Sequence, residues 1–508
     1  MKMLHPKRAL LSVSDKTGLL PLARALRAVG CELYASGGTK ATLLAEGIDV
    51  LSVETLSRSP EAFQGRMKTL SFPIFGGILA RRGDASDDLD RTNLGISLID
   101  VVVVNFYPFR EAETKDTAAL TELIDIGGPA LVRAAAKNQD DVLVLSDPSL
   151  YSDVIRELKT GRGISPSTRE KNAARAWKEV AEYDFAISKV FHGAEILRYG
   201  ENPHQTAEFA IESDSPIAWD QPLTDSPLSY NNILDFSAGF RLLSDLSNWR
   251  PDSAHAVVVK HQNPCGVATD GEGRIERALE MAWACDPVSA FGGIVLLSKP
   301  LNTEASEFLS SRFIEGVAAP NLMALPFTRK NLKALNLRDV TFQESETEIT
   351  VPGGRLRQSA DRFQLETLMI KSGTEWGAEA RALAQFGILA AKSLKSNAIA
   401  IVESPRLGNY RMIGTGQGQP NRIEAIEKLA IPRALAILES ESAAARLADA
   451  ILVSDAFFPF ADAVEASARA GIRKIVQPGG SIRDNEVVAR AAELGIDLVF
   501  TGTRHFRH

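Results

Sequence analysis

Short all-apolar runs alternate along this chain with longer segments whose apolar positions recur every three or four residues. Ala9-Leu10-Leu11-Ser12-Val13 reads as a buried strand, and Ser14 and Asp15 as caps for a helix carrying Leu19, Leu22, Leu26 and Val29. Glu32-Leu33-Tyr34-Ala35 predicts a second strand. The nearly all-apolar Ile99 to Val104 predicts the centre of a parallel sheet covered on both faces. Val142 to Leu145 adds another strand, followed by an amphipathic helix over 168–190 with Ala173, Ala176, Trp177, Val180 and Phe185 apolar among charges. Strands alternating with helices in this way predict a doubly wound sheet, whose ligands sit at the carboxyl ends of the strands.

A second segment starts near residue 196. Its apolar run Ala256 to Val259 ends in Lys260-His261-Gln262-Asn263-Pro264-Cys265-Gly266, where Asn-Pro and Gly are expected to turn the chain sharply. The strand Ile294 to Leu297 and the stretch Phe313 to Pro320 follow, and the charged, polar residues 329–365 read as a connector. The pattern then repeats coarsely. A strand Ala398 to Val402 is followed by a glycine-rich passage from Ile413 that opens a helix at Arg422. A strand from Ile451 ends in an aromatic cluster at Phe460, and the last strand is Asp497 to Phe500. The expectation is an α/β protein in two parts. Residues 1–195 form an N-terminal doubly wound parallel-sheet domain, and residues 196–508 a larger three-layer α/β domain of two similar subdomains, about 196–330 and 365–508.

Composition narrows the class. At 508 residues the chain has room for roughly three units of about 150 residues. Apolar residues at 45% and charged residues at 24% suit a globular enzyme, and a net charge of −7 argues against nucleic acid as a partner. No apolar run reaches the roughly 18 residues that a membrane span needs. The basic start, Met1 to Arg8, leads into a short apolar run that reads as a first strand and not as a signal peptide. Cys31, Cys265 and Cys285 are too far apart for a disulfide framework or a recognisable metal site, which points to the reducing cytoplasm.

Candidate chemistry gathers at strand ends. Ser14-Asp15-Lys16-Thr17 and Ser36-Gly37-Gly38-Thr39-Lys40 are successive strand-to-helix turns with hydroxyls and a lysine, a pattern that suits a phosphate. Neither has the spacing of a dinucleotide fingerprint or a P-loop. Arg66 and Lys68 face one side if extended, and Asp125-Ile126-Gly127-Gly128-Pro129 opens a helix carrying Arg133 and Lys137. Arg198-Tyr199-Gly200-Glu201-Asn202-Pro203-His204-Gln205 is a dense polar turn that equally suits a capped surface loop. Lys260 beside His261 suits proton transfer near neutral pH; the bland alternative has His261 bonded to a loop carbonyl and Lys260 in solvent. A zinc deaminase is excluded, because Pro264-Cys265 is followed by Gly266-Val267-Ala268 with no second cysteine nearby.

Taken in order, these motifs resemble the bifunctional purine-biosynthesis family that joins a phosphoribosyl-aminoimidazolecarboxamide (AICAR) formyltransferase to an IMP cyclohydrolase. The resemblance runs from Ser12 to His508, through Ser36 to Thr39, Arg66 to Leu70, Asp125 to Pro129, Arg198 to Gln205, Lys260 to Gly266, Asp286 to Gly292 and Asp455 to Phe460. It implies a methylglyoxal-synthase-like first domain and a cytidine-deaminase-like second one. It also implies 10-formyltetrahydrofolate as co-substrate, a potassium ion supporting the fold, no zinc, and a homodimer whose formyltransferase site is shared between copies. By resemblance Lys260, His261 and Asn397 carry formyl transfer. Arg198, Tyr199, Asn232, Gly292, Glu315, Arg422, Phe457, Arg504 and His508 surround the nucleotide or folate. Lys68, Tyr107, Asp125 and Lys137 carry cyclisation, and Ser12, Ser14, Lys16, Ser36, Gly37, Gly38, Thr39, Arg66, Thr69 and Gly127 hold the nucleotide. The chain departs from the family at Ser71 and Phe75, where two histidines are usual. A contrasting expectation makes the first domain a nucleotide-binding module without catalysis.

Overall fold

The computed structural model describes residues 2–63, 66–106, 117–191, 195–322 and 331–508; for 117–119, 189–191 and 195 it describes the backbone only. The chain divides into two compact units, Met1–Ala194 and Glu195–His508.

In the first unit β1 (Arg8–Val13), β2 (Glu32–Ala35), β3 (Leu51–Ser52), β4 (Val101–Asn105) and β5 (Leu143–Leu145) form a parallel sheet in the order β3-β2-β1-β4-β5. Its strands are apolar on both faces because both faces are covered. Ala9, Leu11 and Val13 of β1 pack with the helices Leu19–Ala28 and Tyr151–Lys159, while Leu10, Val102 and Val104 pack with Gly127–Lys137 and Pro166–Phe191. Strand order reverses between β1 and β4, so a crevice opens where their carboxyl ends part. The first helix begins at Leu19, later than Ser14 and Asp15 as caps would place it. Asp15 instead folds back locally, its Oδ1 accepting from Thr17 N at 2.8 Å.

The second unit opens with a hairpin of β6 (Glu195–Leu197) and β7 (Ala207–Phe209). Then come β8 (Ala254–Lys260), β9 (Asn263–Asp270), β10 (Ile294–Leu297), β11 (Gly316–Pro320), β12 (Lys333–Leu337), the exposed ribbon β13 (Glu346–Val351) and β14 (Gly354–Ser359), and β15 (Met369–Ser372). The last five are β16 (Ile399–Arg406), β17 (Asn409–Gly416), β18 (Ile451–Ser454), β19 (Lys474–Gln477) and β20 (Asp497–Phe500). Eleven of these strands make one sheet, β12-β11-β10-β8-β9-β17-β16-β18-β19-β20-β15. Its two halves have the same wiring. An antiparallel hairpin (β8–β9, β16–β17) pairs antiparallel with a third strand (β10, β18), which continues through two parallel neighbours. The halves join where β9 meets β17 antiparallel.

Helices cover both faces. Val257 and Val259 of β8 pack with the helices Tyr230–Trp249 and Ala378–Lys392, while Ala256 and Val258 pack with Ile275–Ala284 on the other side. Two readings of the sequence change here. The stretch 329–365 is more than a connector, since it supplies the edge strand β12 and the β13–β14 ribbon. The sharp turn after β8 is made by His261 and Gln262, at φ 52 and 63, and Asn263 to Gly266 already belong to β9. Gly266 serves packing: a Cβ there would lie 2.1 Å from the Ala282 carbonyl oxygen of the covering helix.

Candidate active site

In the first unit the polar groups meet at the crevice between β1 and β4. Asn105, the last residue of β4, accepts through Oδ1 from Ser14 N at 2.7 Å and Asp15 N at 3.0 Å. Its Nδ2 donates to Asp15 O at 2.7 Å, so the turn after β1 is pinned across the switch point. Thr39 spends its hydroxyl inside the protein, accepting from Val13 N at 3.1 Å and donating to Val13 O. That brings the helix Gly37–Ala45 up to the same turn, with Ser12 Oγ and Ser36 Oγ 3.4 Å apart. Lys16 Nζ lies 3.9 Å from where a Gly38 Cβ would stand, and Lys68 Nζ 3.9 Å from the corresponding Gly37 position. Two ammonium groups therefore flank an open helix N-terminus, an arrangement suited to a phosphate.

On the other side Thr69 Oγ1 lies 3.0 Å, and Asp125 Oδ1 4.0 Å, from a Cβ built on Gly127. Asp125 Oδ1 accepts from Gly128 N at 2.9 Å, and Asp125 N donates to Tyr183 Oη at 2.7 Å. Burial pushes the Asp125 carboxyl above the usual range, against the lowering effect of the Gly128 and Gly127 N–H groups. Lys68 pairs with Glu61 at 3.1 Å and Arg66 pairs with Glu122. Tyr107 lies outside the described residues. Lys137 is not brought to this group: it is exposed at the far end of the helix Gly127–Lys137, about 15 Å from Gly127 at about 1.5 Å per residue. Ser71 precedes the helix Phe72–Leu79 and Phe75 packs against the core of this unit. Neither side chain titrates near neutral pH. Asn105 and Tyr183 were not singled out from sequence as site residues, because their roles depend on contacts 90 and 58 residues away.

In the second unit the strand directions bring the candidates to one end of the sheet. Lys260 ends β8 and His261 follows it, Gly292 precedes β10 and Glu315 precedes β11; Asn397 precedes β16, Arg422 follows β17, Phe457 follows β18, and Arg504 and His508 follow β20. Given the pairing senses, all of these ends lie on one edge. β8 and β16 stand three strand steps apart, roughly 14 Å at about 4.8 Å each.

Around β8, Lys260 Nζ donates to Gly292 O at 2.6 Å, and Gly292, at φ 67, donates its N–H to Phe313 O. A Cβ at Gly292 would stand 3.1 Å from Lys260 Nζ, so glycine keeps the ammonium's place. Asp235, buried on the helix Tyr230–Trp249, accepts from Gln262 N at 2.6 Å. Burial raises its carboxyl, and the Gln262 N–H and the neighbouring His261 work in the opposite direction. Asp235 carries no motif signal and was not singled out from sequence. Asn232 has its Oδ1 engaged in a capping box with Ser229.

Around β16, Arg422 is buried and donates to Asn397 Oδ1 at 2.7 Å, to Ser454 Oγ at 2.9 Å and to Asp455. Arg422, which the resemblance places around the substrates, holds Asn397 through the first of these contacts. Asn397 Nδ2 donates to Gln419 O at 2.9 Å and Pro420 O at 3.1 Å. The C-terminal segment after β20 closes over this group, with Ser396 N donating to Arg507 O and His505 N to Asp455 O. Arg198 and Arg504 are exposed and have no carboxylate partner among the described residues, so both remain available to an anion; Phe457 is half-buried. No group of three or more His, Cys, Asp or Glu side chains among the described residues is placed to hold a metal ion. Burial pushes the Cys265 thiol up to about 12.

Comparison with known proteins identifies the family. The AICARFT/IMPCHase bienzyme family model matches residues 135–433 and an MGS-like domain model matches residues 18–130. A protein of Brucella anthropi named bifunctional purine biosynthesis protein PurH is 41% identical over 537 residues, covering 99% of this chain and 97% of its own length. Proteins of Brucella canis and Brucella suis bearing the same name are 41% identical over 534 residues, again covering 99% of this chain and 97% of their own. The chain belongs to the AICARFT/IMPCHase bienzyme family, with AICAR formyltransferase and IMP cyclohydrolase activities in purine biosynthesis.

Proposed function

We propose that the two units divide the two reactions: the first closes the formylated nucleotide to IMP, and the second formylates AICAR from 10-formyltetrahydrofolate. The observation that carries this is the separate convergence of polar groups, at the β1–β4 crevice of one unit and along one edge of the sheet in the other.

For formyl transfer, the AICAR amine is a poor nucleophile because its lone pair is delocalised into ring and carboxamide. His261 takes its proton as nitrogen attacks the formyl carbon, and Asn397 holds the oxygen on which charge develops. To do so Asn397 Nδ2 releases one of its two carbonyls, Pro420 at 3.1 Å being the longer contact. Lys260 stabilises that charge or protonates the folate nitrogen as the carbon–nitrogen bond breaks. Arg198 and Arg504, both without carboxylate partners among the described residues, suit the nucleotide phosphate or the folate carboxylates. The roughly 14 Å between β8 and β16 is the gap that a second copy would help complete, and the exposed Phe291 and Phe313 beside Lys260, 5.1 Å apart, give a homodimer an apolar surface.

For cyclisation, the carboxamide nitrogen attacks the formyl carbon and water leaves. Lys68 stabilises the oxyanion, Asp125 takes the carboxamide proton and passes it to that oxygen, the formamide N–H supplies the second proton of the departing water, and Lys16 with the N–H groups of Gly37 and Gly38 holds the phosphate. No imidazole takes part, consistent with Ser71 and Phe75. Potassium, which the resemblance implies only as support for the fold, enters no step. The place of work is the cytoplasm, in keeping with three free cysteines and, among the described residues, no helix long and apolar enough to cross a membrane.

The test is a two-part assay on purified protein, following tetrahydrofolate release from AICAR and, separately, IMP formation from synthetic formylated nucleotide. Both are expected to proceed. Folate release with accumulation of the formylated nucleotide would reduce the first unit to a nucleotide-binding module.

A further inference from the structure

The loop carrying His261 is a two-residue connection between β8 and β9, since Lys260 pairs with Asn263 across it. Both of its central residues, His261 at φ 52 and Gln262 at φ 63, lie in the left-handed region. Hairpins of this type normally place Asn and Gly there, because residues with a larger side chain resist positive φ. A His-Gln pair holds the conformation only when something outside the turn imposes it. The groups around it are few. Lys260, on its own strand, is occupied with Gly292 O at 2.6 Å, and Asn263 Nδ2 donates to His261 O at 2.8 Å within the turn. Glu315, at the start of β11, is exposed and lies near enough to Asp235 to raise its carboxyl. Among the described residues the remaining contact comes from the helix Tyr230–Trp249, whose buried Asp235 accepts from Gln262 N at 2.6 Å and also faces the His261 backbone N–H. That helix is itself fixed at its start by the reciprocal Ser229–Asn232 cap, so Asp235 is presented from a rigid element.

We propose that Asp235 is a positioning residue for formyl transfer: by accepting from Gln262 N it holds the His261–Gln262 turn left-handed and so fixes the imidazole where the amine proton is taken. The inference rests on the assignment of formyl transfer to this unit. The acceptor atom carries the role, and the negative charge is not required for it.

The test compares Asp235→Asn, Asp235→Ala and Asp235→Ala/Gln262→Gly in the full-length protein. Formyl-transfer kcat and KM are measured, with cyclisation of the formylated nucleotide as internal control. Asp235→Asn keeps an acceptor oxygen and should retain kcat within about threefold. Asp235→Ala should lose about 10- to 100-fold in kcat with little change in KM, the cost of a misplaced catalytic group. Adding Gln262→Gly, which adopts positive φ without strain, should restore kcat at least about fivefold. A merely structural Asp235 would show no such rescue. The proposal is overturned by Asp235→Ala with parental kcat, by a loss that Gln262→Gly leaves unchanged, or by Asp235→Asn falling more than tenfold. If Asp235→Ala is not recovered folded, the Asn arm still decides. Parental protein with cyclisation but no formyl transfer would instead overturn the functional assignment.

Discussion

His255 shows how far burial can take a side chain from the role its type suggests. It lies on β8, the same strand that delivers Lys260, with Nδ1 2.9 Å from Thr269 Oγ1 and Nε2 2.9 Å from Arg250 O. Burial holds its imidazole neutral and lowers its pKa to about 4 from the ordinary 6.5; Lys299 and Arg250 add to the effect and the Arg250 carbonyl opposes it. Between these two values the unfolded chain binds a proton that the folded one does not. Stability from this residue is therefore full above pH 6.5 and lost as the pH falls towards 4. At about 1.4 kcal/mol per pH unit, the loss reaches roughly 3 kcal/mol. Thermal unfolding midpoints at pH 7 and pH 4.5 should fall further in the parent than in His255→Leu. Equal acid shifts would contradict this. Only the fold separates His255 from His261, which is exposed on its turn, because in sequence both are single histidines bordering the same apolar run.

At the scale of elements, Arg422 ties three strands together, donating to Asn397 before β16, to Ser454 at the end of β18, and to Asp455 beyond it. Arg422→Leu leaves the Asp455 carboxylate, fully shielded from solvent, without its partner. Breaking a buried pair in this way costs roughly 3–5 kcal/mol. The expected fall in thermal midpoint is on the order of 10 °C. Arg422→Leu/Asp455→Leu removes both charges and should recover much of that stability while formyl transfer stays low, since Asn397 remains unoriented. Recovery of both together would remove Arg422 from the site. The start of the helix Gly127–Lys137 gives a parallel case. A Cβ on Gly128 would lie 2.3 Å from Asp125 Oδ2. Gly128→Ala should therefore cut cyclisation about 10- to 100-fold and leave formyl transfer unchanged. Much of this was legible in the sequence. Strands such as Glu32–Ala35 and Asp497–Phe500 stood out because short apolar runs were bounded by turn residues, and strand-to-helix turns with hydroxyls and a lysine marked the site loops of the first unit. The turn after β8 was misplaced because Pro264 and Gly266 look like turn residues; Gly266 is there to admit a helix and Pro264 starts a strand. β12 was missed because an edge strand carries only half an apolar pattern, Ala334, Leu335 and Leu337 among polar neighbours. Asp235 and Tyr183 were invisible because each acts through contacts made only in the fold.

At the scale of the whole chain, two compact units each with its own core and its own polar cluster imply that the activities can fail separately. Lys68→Ala removes an ammonium from the crevice of the first unit, and Lys260→Ala removes the one held against Gly292 in the second. Neither lysine is wholly buried, so each variant should fold. Lys68→Ala is expected to convert AICAR to the formylated nucleotide and stop. Lys260→Ala is expected to close synthetic formylated nucleotide at the parental rate but to release no tetrahydrofolate. Mixed in equal amounts with AICAR and the folate donor, the two variants should together form IMP after a lag, because the intermediate made on one molecule must diffuse to another. The lag should shorten in proportion as protein concentration rises. Failure of the mixture, with each variant active in its own half-reaction, would mean that the intermediate passes between the sites without leaving the protein. Loss of both half-reactions in either variant would mean that the two units do not work as separate catalysts.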